Sequence, residues 1–453
     1  MKPISRIIAL TAAVLTAMSL IVLPSSADFT DVPESHWAYR YIIRAADAGA
    51  VSGMGDGSFD PDGTVTQAQF ISIAVRGCGI SPDETGGEWY DGYISAAERA
   101  GMIDPASVSP DEPMTRYMMA QVVYSAMIYL GAERISEEDI AEAIENIPDE
   151  IPEDMREAVA GVYIPGVITG MDAKGTFAGD GYMTRAQSAV VFCRMRTVVE
   201  TTVDIGGESC FLGMSAGELS ARFGEPKEIL TGVTGLEWHV YDGFEPFFAA
   251  GLEDGHVTAL CAAGKGFSYL GAVAGDMPPR VYSLYTQTFE DKNDGGIMHG
   301  LYMAARYYKP EDVVFGENTL YCEARLNYGL VNAFRVMHGL NPLIWSDAAA
   351  AAGRLHCEDM AANGYFAHES LDGRTAAKRA EAQGISYLAV GENIYMNTVA
   401  PAGGIAGYYH LVNSEGHREV MLYPDFEYLG VGCASDADGG IYLAEEFYKA
   451  KTD

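Results

Sequence analysis

The chain has 453 residues, a length that accommodates about three domains, and 48% of them are apolar, enough for packed cores rather than wholesale disorder. Its formal net charge is -34, with the acidity spread along the chain. That excludes nucleic acid and anionic lipid as partners, because both need a basic footprint, and it suits the solvated surface of an exported protein.

At the N-terminus, Lys2 and Arg6 precede an apolar run from Ile7 to Leu23, followed by Pro24-Ser25-Ser26-Ala27. This pattern predicts a signal peptide over residues 1–27, cleaved after Ala27. The run is shorter than the ~20 residues of a spanning helix and contains Thr11, Thr16 and Ser19, so an uncleaved anchor is the alternative. No cysteine marks a lipid anchor at the cleavage site, and no later stretch is apolar enough to span a membrane. The seven cysteines are odd in number and contain no CxxC pair, which argues against a disulfide framework and a thiolate zinc site. Buried thiols are expected, with a Cys210–Cys261 bridge left open.

Residues 28–200 carry a degenerate internal repeat, with units at about 28–80, 86–130 and 147–200. The first contains Phe29-Thr30-Asp31-Val32-Pro33, Trp37, Asp56-Gly57-Ser58-Phe59-Asp60-Pro61 and Thr66-Gln67-Ala68. The second contains Trp89-Tyr90, Gly101-Met102-Ile103 and Thr115-Arg116. The third contains Gly166-Val167-Ile168-Thr169-Gly170, Gly175-Thr176-Phe177 and Thr184-Arg185. Each unit reads as helix, glycine turn and second helix capped by Thr66, Thr115 or Thr184, whose hydroxyl can accept an orphan backbone N–H. Such short helix pairs must pack on one another to bury a core. The stretch Glu133–Glu157, dense in acids, reads as a solvated insertion.

These units resemble S-layer homology (SLH) repeats, which implies an all-α module that binds a pyruvylated secondary cell-wall polymer of Gram-positive-type envelopes. The resemblance carries polymer contact to Trp37 near the first repeat's start and to Arg116 and Arg185 after the capping threonines of the second and third. Gln67 stands where the first repeat would have arginine. A guanidinium suits a pyruvyl carboxylate because it can pair with it bidentately.

Residues 203–310 change in texture, with strand-like runs at Leu236–Tyr241, Phe247–Leu252 and Val257–Cys261 and a hairpin turn at Glu253-Asp254-Gly255-His256. They resemble the small α+β domain that precedes CAP domains in bacterial secreted proteins. Residues 311–318 read as a short connection.

From Thr319 the pattern is helical, with Leu326, Leu330, Val331, Phe334 and Met337 on one face. Ser346 caps a second helix to about Asn363, Arg374–Gln383 and Ala402–Val412 are further helices, and strand-like runs at Tyr428–Gly432 and Ile441–Ala444 close the chain. Helices flanking a small antiparallel sheet are the economical arrangement. The ordered motifs Asn341-Pro342-Leu343-x-Trp345-Ser346, Gly364-Tyr365-Phe366-x-His368-x-Ser370, Gly391-Glu392-Asn393, Asn413-Ser414-x-Gly416-His417-Arg418 and Leu429-Gly430-Val431-Gly432 resemble the CAP (SCP-like) superfamily over residues 319–449. The resemblance implies an α-β-α sandwich with a cleft of two histidines and two acids. Three of these map to His368, Glu392 and His417; Glu415 is the candidate second acid, though proline is usual there in bacterial relatives, and Glu445 stands where glutamine is common.

Two imidazoles in a cleft can hold a divalent ion such as zinc at His368 and His417. Alternatively, Glu392 can orient one imidazole and leave the other as acid or base, making Glu392 and His368 the catalytic candidates. Ser370 lacks an evident base and HExxH is absent, which favours ligand binding over hydrolysis. The sequence therefore predicts a secreted protein anchored to the cell wall or S-layer of a Gram-positive-type bacterium, presenting a cleft to a small ligand or surface partner. A metal-assisted extracellular hydrolase of wall or peptide substrates is the alternative.

Overall fold

The computed structural model describes residues 29–451 apart from positions 242, 280, 282, 284, 307, 310–311 and 398–402, so the leader assigned to residues 1–27 lies outside the described residues. The chain divides into two compact units, residues up to 202 with short stretches at 269–271 and 279–284, and the remainder.

In the first unit the helices are α1 (Tyr39–Asp47), α2 (Gln67–Gly77), α3 (Asp91–Arg99), α4 (Arg116–Tyr129), α5 (Glu137–Glu145), α6 (Arg156–Tyr163) and α7 (Arg185–Glu200). The hydroxyls of Thr66, Thr115 and Thr184 accept from the backbone N–H of Gln69, Met118 and Gln187 at 3.3, 3.2 and 3.2 Å, each cap stabilising its helix by about 1 kcal/mol. The residue after each threonine ties its segment to the next. Gln67 N donates to Glu112 O (2.9 Å), Arg116 N to Gly181 O (3.0 Å) and Arg185 N to Gly63 O (2.9 Å), so the three segments close on themselves. Short bridges Thr66↔Pro113, Thr115↔Tyr182 and Thr64↔Thr184 accompany the closure. Short helices are marginal alone; here each segment's backbone is completed by a neighbour. The acidic insertion forms α5, capped by Ser136.

In the second unit, β1 (Thr202–Ile205), β2 (Glu208–Phe211), α8 (Ala216–Phe223), β3 (Glu228–Thr231), β4 (Glu237–Val240), β5 (Phe247–Glu253), β6 (His256–Ala263), β7 (Phe267–Tyr269), β8 (Ala272–Val273), β9 (Thr286–Asp291) and β10 (Ile297–Ala304) come first. Then follow α9 (Glu317–Met337), β11 (Ile344–Trp345), α10 (Asp347–Asn363), α11 (Ala376–Ala382), β12 (Tyr387–Asn397), α12 (Gly403–Val412), α13 (Glu415–Met421), β13 (Tyr428–Ser435) and β14 (Ile441–Ala450). Strands β3-β4-β5-β6-β10-β9 form an antiparallel sheet, and β11-β13-β14-β12 a second sheet that is antiparallel except for the parallel β11–β13 pair. The expected hairpin is β5–β6, turning at Glu253↔His256.

The two sheets share a core. Trp238, Phe247, Ala249 and Phe289 from the first cluster with Cys322, Leu326, Leu330 and Phe334 of α9 and with Leu429, Leu443 and Phe447 of the second. A Cβ on Gly329 would stand 2.1 Å from the Phe247 ring, so glycine lets α9 lie on β5. Strands of the 203–310 segment and helix α9 thus contribute to one apolar cluster. On β13, a Cβ at Gly430 or Gly432 would fall 2.0 Å from Ala350 N or 1.9 Å from Arg354 N, which is why this strand presents glycines to α10. Leu429, Val431 and Cys433 alternate to the opposite face and join the core with α9.

Candidate functional site

Antiparallel pairing of β12 and β14 sets Glu392 opposite Glu446 and Asn393 opposite Glu445. Because side chains alternate faces, the two pairs look to opposite sides of the sheet. On the first side Glu392 is held from two directions. His368 Nδ1 lies 2.8 Å from its Oε1, and Arg379 of α11 donates from Nη2 to its Oε2. Arg379 Nη1 also donates to the carbonyls of His368 and Arg374, both at 3.0 Å, and to Ser370 Oγ at 3.3 Å. Arg379 and Glu392 are buried to 3% side-chain exposure, whereas the His368 side chain is 58% exposed. An outward histidine thus stands on an inward ion pair.

The electrostatics follow. Hydrogen bonding to Glu392 raises the His368 pKa against the pull of burial. Burial pushes Glu392 up, but bonds with His368 and Glu446 and the Arg379 charge outweigh it and hold the carboxyl below its usual range. Glu446 is pushed well above that range, by burial first and then by the Glu392 charge.

His417, in α13, places Nδ1 2.8 Å from Ser414 Oγ. Burial, then the neighbouring His368 charge, depress its pKa. With Nδ1 engaged in both rings, the Nε2 atoms of His368 and His417 have no hydrogen-bond partner among the described residues. Glu415, the proposed second acid, is exposed in the first turn of α13 and makes no hydrogen bond or ion pair with His368, Glu392 or His417. Glu446 is the acid beside Glu392.

Ser370 does have a base within reach, which the sequence did not reveal. His356 Nε2 lies 2.9 Å from Ala367 O, leaving Nδ1 to face Ser370 Oγ at 3.4 Å. Both residues are buried, at 3% and 1% exposure, so they lock the loop under His368 rather than offer a nucleophile to solvent. Thr375, not Ser370, caps α11. His356 belongs to this buried network. Arg379 was missed because an arginine in an alanine-rich helix carries no local mark. Glu445-Glu446 did leave a trace, two acids within an apolar strand.

Asp291, Asp294 and His338 bring ligand atoms within 4.8 Å of one another, a grouping that could hold a metal ion. Arg418 Nε and Nη2 already approach Asp291 Oδ2 at 3.0 and 2.8 Å, and Nη2 lies 3.1 Å from His338 Nε2, so a guanidinium fills the cationic position. All seven cysteines are free, Cys210 and Cys261 included.

In the first unit, Arg116 is 4% exposed and donates to Phe177 O (2.6 Å) and Thr169 O (2.7 Å) over the Phe177 ring. Arg185 mirrors it, donating to Phe59 O (2.7 Å) and Ser52 O (2.8 Å) over the Phe59 ring. Gln67, at the equivalent position, accepts from Ser109 N at 2.8 Å. Arg185 lines a groove of about 330 Å³ with Arg76 and the indole of Trp89, which is 56% exposed. Trp37 is 62% exposed and lies outside the lining of that groove.

Family comparisons agree with this division. Residues 328–447 match the model of the Cysteine-rich secretory protein family (CAP), and residues 28–71 match the S-layer homology domain, so the chain carries a domain of each kind. Among curated proteins it is 25% identical over 276 residues to the uncharacterized membrane protein YlbC of Bacillus subtilis, covering 49% of this chain and 79% of that one. It is 28% identical over 127 residues to an S-layer protein of Bacillus thuringiensis subsp. finitimus, covering 26% of this chain and 16% of the relative. Among solved structures, an extracellular SCP-domain protein of Bacillus anthracis aligns at 21% identity and a TM-score of 0.45, over 52% of this chain and 93% of that one. The SLH match and the S-layer relatives support a secreted, cell-wall-associated protein. No helix among the described residues is long and apolar enough to cross a membrane.

Proposed function

We propose that the chain, exported by its N-terminal leader, is a wall-anchored binding protein: three SLH-type segments grip an anionic, pyruvylated cell-wall polymer while a CAP α-β-α sandwich presents the His368/His417 cleft. The groove lined by Arg185, Arg76 and Trp89 carries the anchoring half of this reading. It offers guanidinium charge beside an exposed indole, which suits a sugar ring bearing a carboxylate. Arg116 serves the fold, since it is 4% exposed with its Nε and Nη2 on the carbonyls of Phe177 and Thr169, whereas Arg185, bonded the same way, lines the open groove. The full chain should co-sediment with purified walls, and Arg185→Ala with Trp89→Ala should abolish this. Equal sedimentation of wild type with walls stripped of polymer would end the anchoring claim.

For the cleft, binding is favoured because Ser370 is buried. The specific ligand reading is a divalent ion or a small polar ligand between the two Nε2 atoms. The donors fit such an ion in a limited way: two imidazoles, with Glu392 turned inward to fix the His368 tautomer as an outer-sphere partner. When bound, the ion would supply Lewis acidity to a water or carbonyl. Calorimetry with Zn²⁺ tests this, with His368→Ala expected to remove the heat of binding; an unchanged isotherm would exclude the metal and leave the small ligand.

A further inference from the structure

The face of the sheet opposite the His368–Glu392–Arg379 assembly holds a second polar group that nothing in the cleft uses. Glu445, Asn393 and Asn327 are each 0% exposed. Asn393 Nδ2 donates to Glu445 Oε2 at 3.0 Å and to the backbone carbonyl of His417 at 3.0 Å. Asn327 Nδ2 donates to Gly404 O at 3.1 Å. Asn393 has both amide hydrogens engaged and Asn327 at least one, while three buried oxygens, Glu445 Oε1, Asn327 Oδ1 and Asn393 Oδ1, have no hydrogen-bond partner among the described residues. Flipping either amide does not help, because it surrenders the bond to Gly404 O or to His417 O. The cluster has too many acceptors, and buried acceptors left unmatched are costly. One added proton removes one acceptor and creates one donor.

We propose that Glu445 is protonated in the native fold, donates a hydrogen bond to an amide oxygen of this cluster, and acts as a positioning residue that fixes His417 through Asn393. The charged surroundings agree. Asn327 faces it from α9, Tyr408 from α12, Cys433 from β13 and Asn393 from β12, with the buried Glu323 of α9 on Cys433 as well. None of these brings a positive charge, and Glu323 itself is a buried carboxyl pushed up by burial to about 7. Burial likewise moves Glu445 from its ordinary 4.5 to about 7, with bonds from Asn393 and Asn327 offsetting only part. The contrast with Glu392, one face away, is the presence there of Arg379.

The sign of the pH dependence is fixed. A carboxyl raised on folding contributes stability that is complete below its unfolded pKa and lost as pH rises through its folded value. Glu445→Gln supplies a permanent N–H donor of the same shape. In the full chain, urea midpoints should match wild type near pH 4.5 and exceed it at pH 8, with a flatter profile between. The His417 carbon-bound proton resonance in histidine-labelled protein should be unchanged by Glu445→Gln and displaced by Glu445→Leu, the glutamine preserving what the leucine loses. A glutamine variant less stable than wild type at pH 8 would overturn the proposal, since it would mean an ionised Glu445 paired with a bound cation. A His417 resonance displaced equally by both variants would overturn the positioning role. The consequence for the cleft rests on the binding function proposed above. The protonation does not, and these readouts need no cleft ligand, so failure of one is distinguishable from failure of the other.

Discussion

Hydrogen-bonded guanidinium groups, Arg116 and Arg379 buried and Arg185 half-buried, serve opposite ends in the two units. Arg116 and Arg185 give their hydrogen bonds to neutral carbonyls, Phe177 O and Thr169 O in one case and Phe59 O and Ser52 O in the other. Arg379 also reaches two carbonyls through Nη1, but its Nη2 goes to the carboxylate of Glu392. A carbonyl satisfies the N–H groups without cancelling the charge; a carboxylate does both. In the function proposed above the first arrangement matters because the bonds of Arg185 go to carbonyls and leave its charge at the groove, with Asp60 and Asp31 the acids nearest to it in effect. The second spends the charge internally, keeping an ionised glutamate under an exposed histidine.

The sharpest way to break this comparison is to remove Arg379. Arg379→Leu leaves Glu392 charged and buried beside Glu446, and should cost about 3–5 kcal/mol by urea unfolding. Adding Glu392→Leu should recover a large part, since two apolar groups can replace a buried pair at little net cost. A single variant losing less than about 1 kcal/mol, the value of an exposed pair, would show that Glu392 does not depend on this guanidinium.

How far the sequence reveals these roles depends on the range over which each is specified. The capping threonines, the β5–β6 hairpin and α10 after Ser346 are local, and pattern alone locates them. Arg116 and Arg185 could be singled out, but their partners lie 61 and 126 residues away in sequence, so a fold staple and a ligand contact look alike in one dimension. His368, Glu392 and His417 were readable as a set from their ordered motifs. Arg379 and Glu446 were not, because strand register and helix placement bring them to Glu392. The packing of the 203–310 strands on α9 was not legible either, because their apolar residues carry no mark of the helix that meets them.

A middle-sized effect sharpens the first half of the comparison. Arg116→Leu and Arg185→Leu each strand two carbonyls, and each should cost about 1–3 kcal/mol in the midpoint of unfolding. Only Arg185→Leu should also weaken wall co-sedimentation, measured at a temperature where both variants stay folded. Equal loss of wall binding in both would mean that ring closure, rather than groove charge, supports the anchor.

The smallest effect concerns the charge on His368. Its pKa is raised by Glu392, so Glu392→Gln should lower it, read from the imidazole proton shift against pH. The signs of the two partners define a window. The Glu392 contribution is present above the ordinary carboxylate pKa of 4.5 and lost as pH falls through its lowered folded value. The His368 contribution is complete below 6.5 and lost as pH rises through its raised folded value. The pair therefore stabilises the loop most in mildly acidic solution, and any ligand that needs a bare Nε2 competes with a proton that Glu392 has strengthened. In Glu392→Gln that competition weakens, so Zn²⁺ or a small ligand at Nε2 should bind over a range extending to lower pH. A His368 titration unmoved by the substitution would mean that the carboxylate orients the ring without charging it, and the contrast with Arg185 would then rest on hydrogen bonding alone.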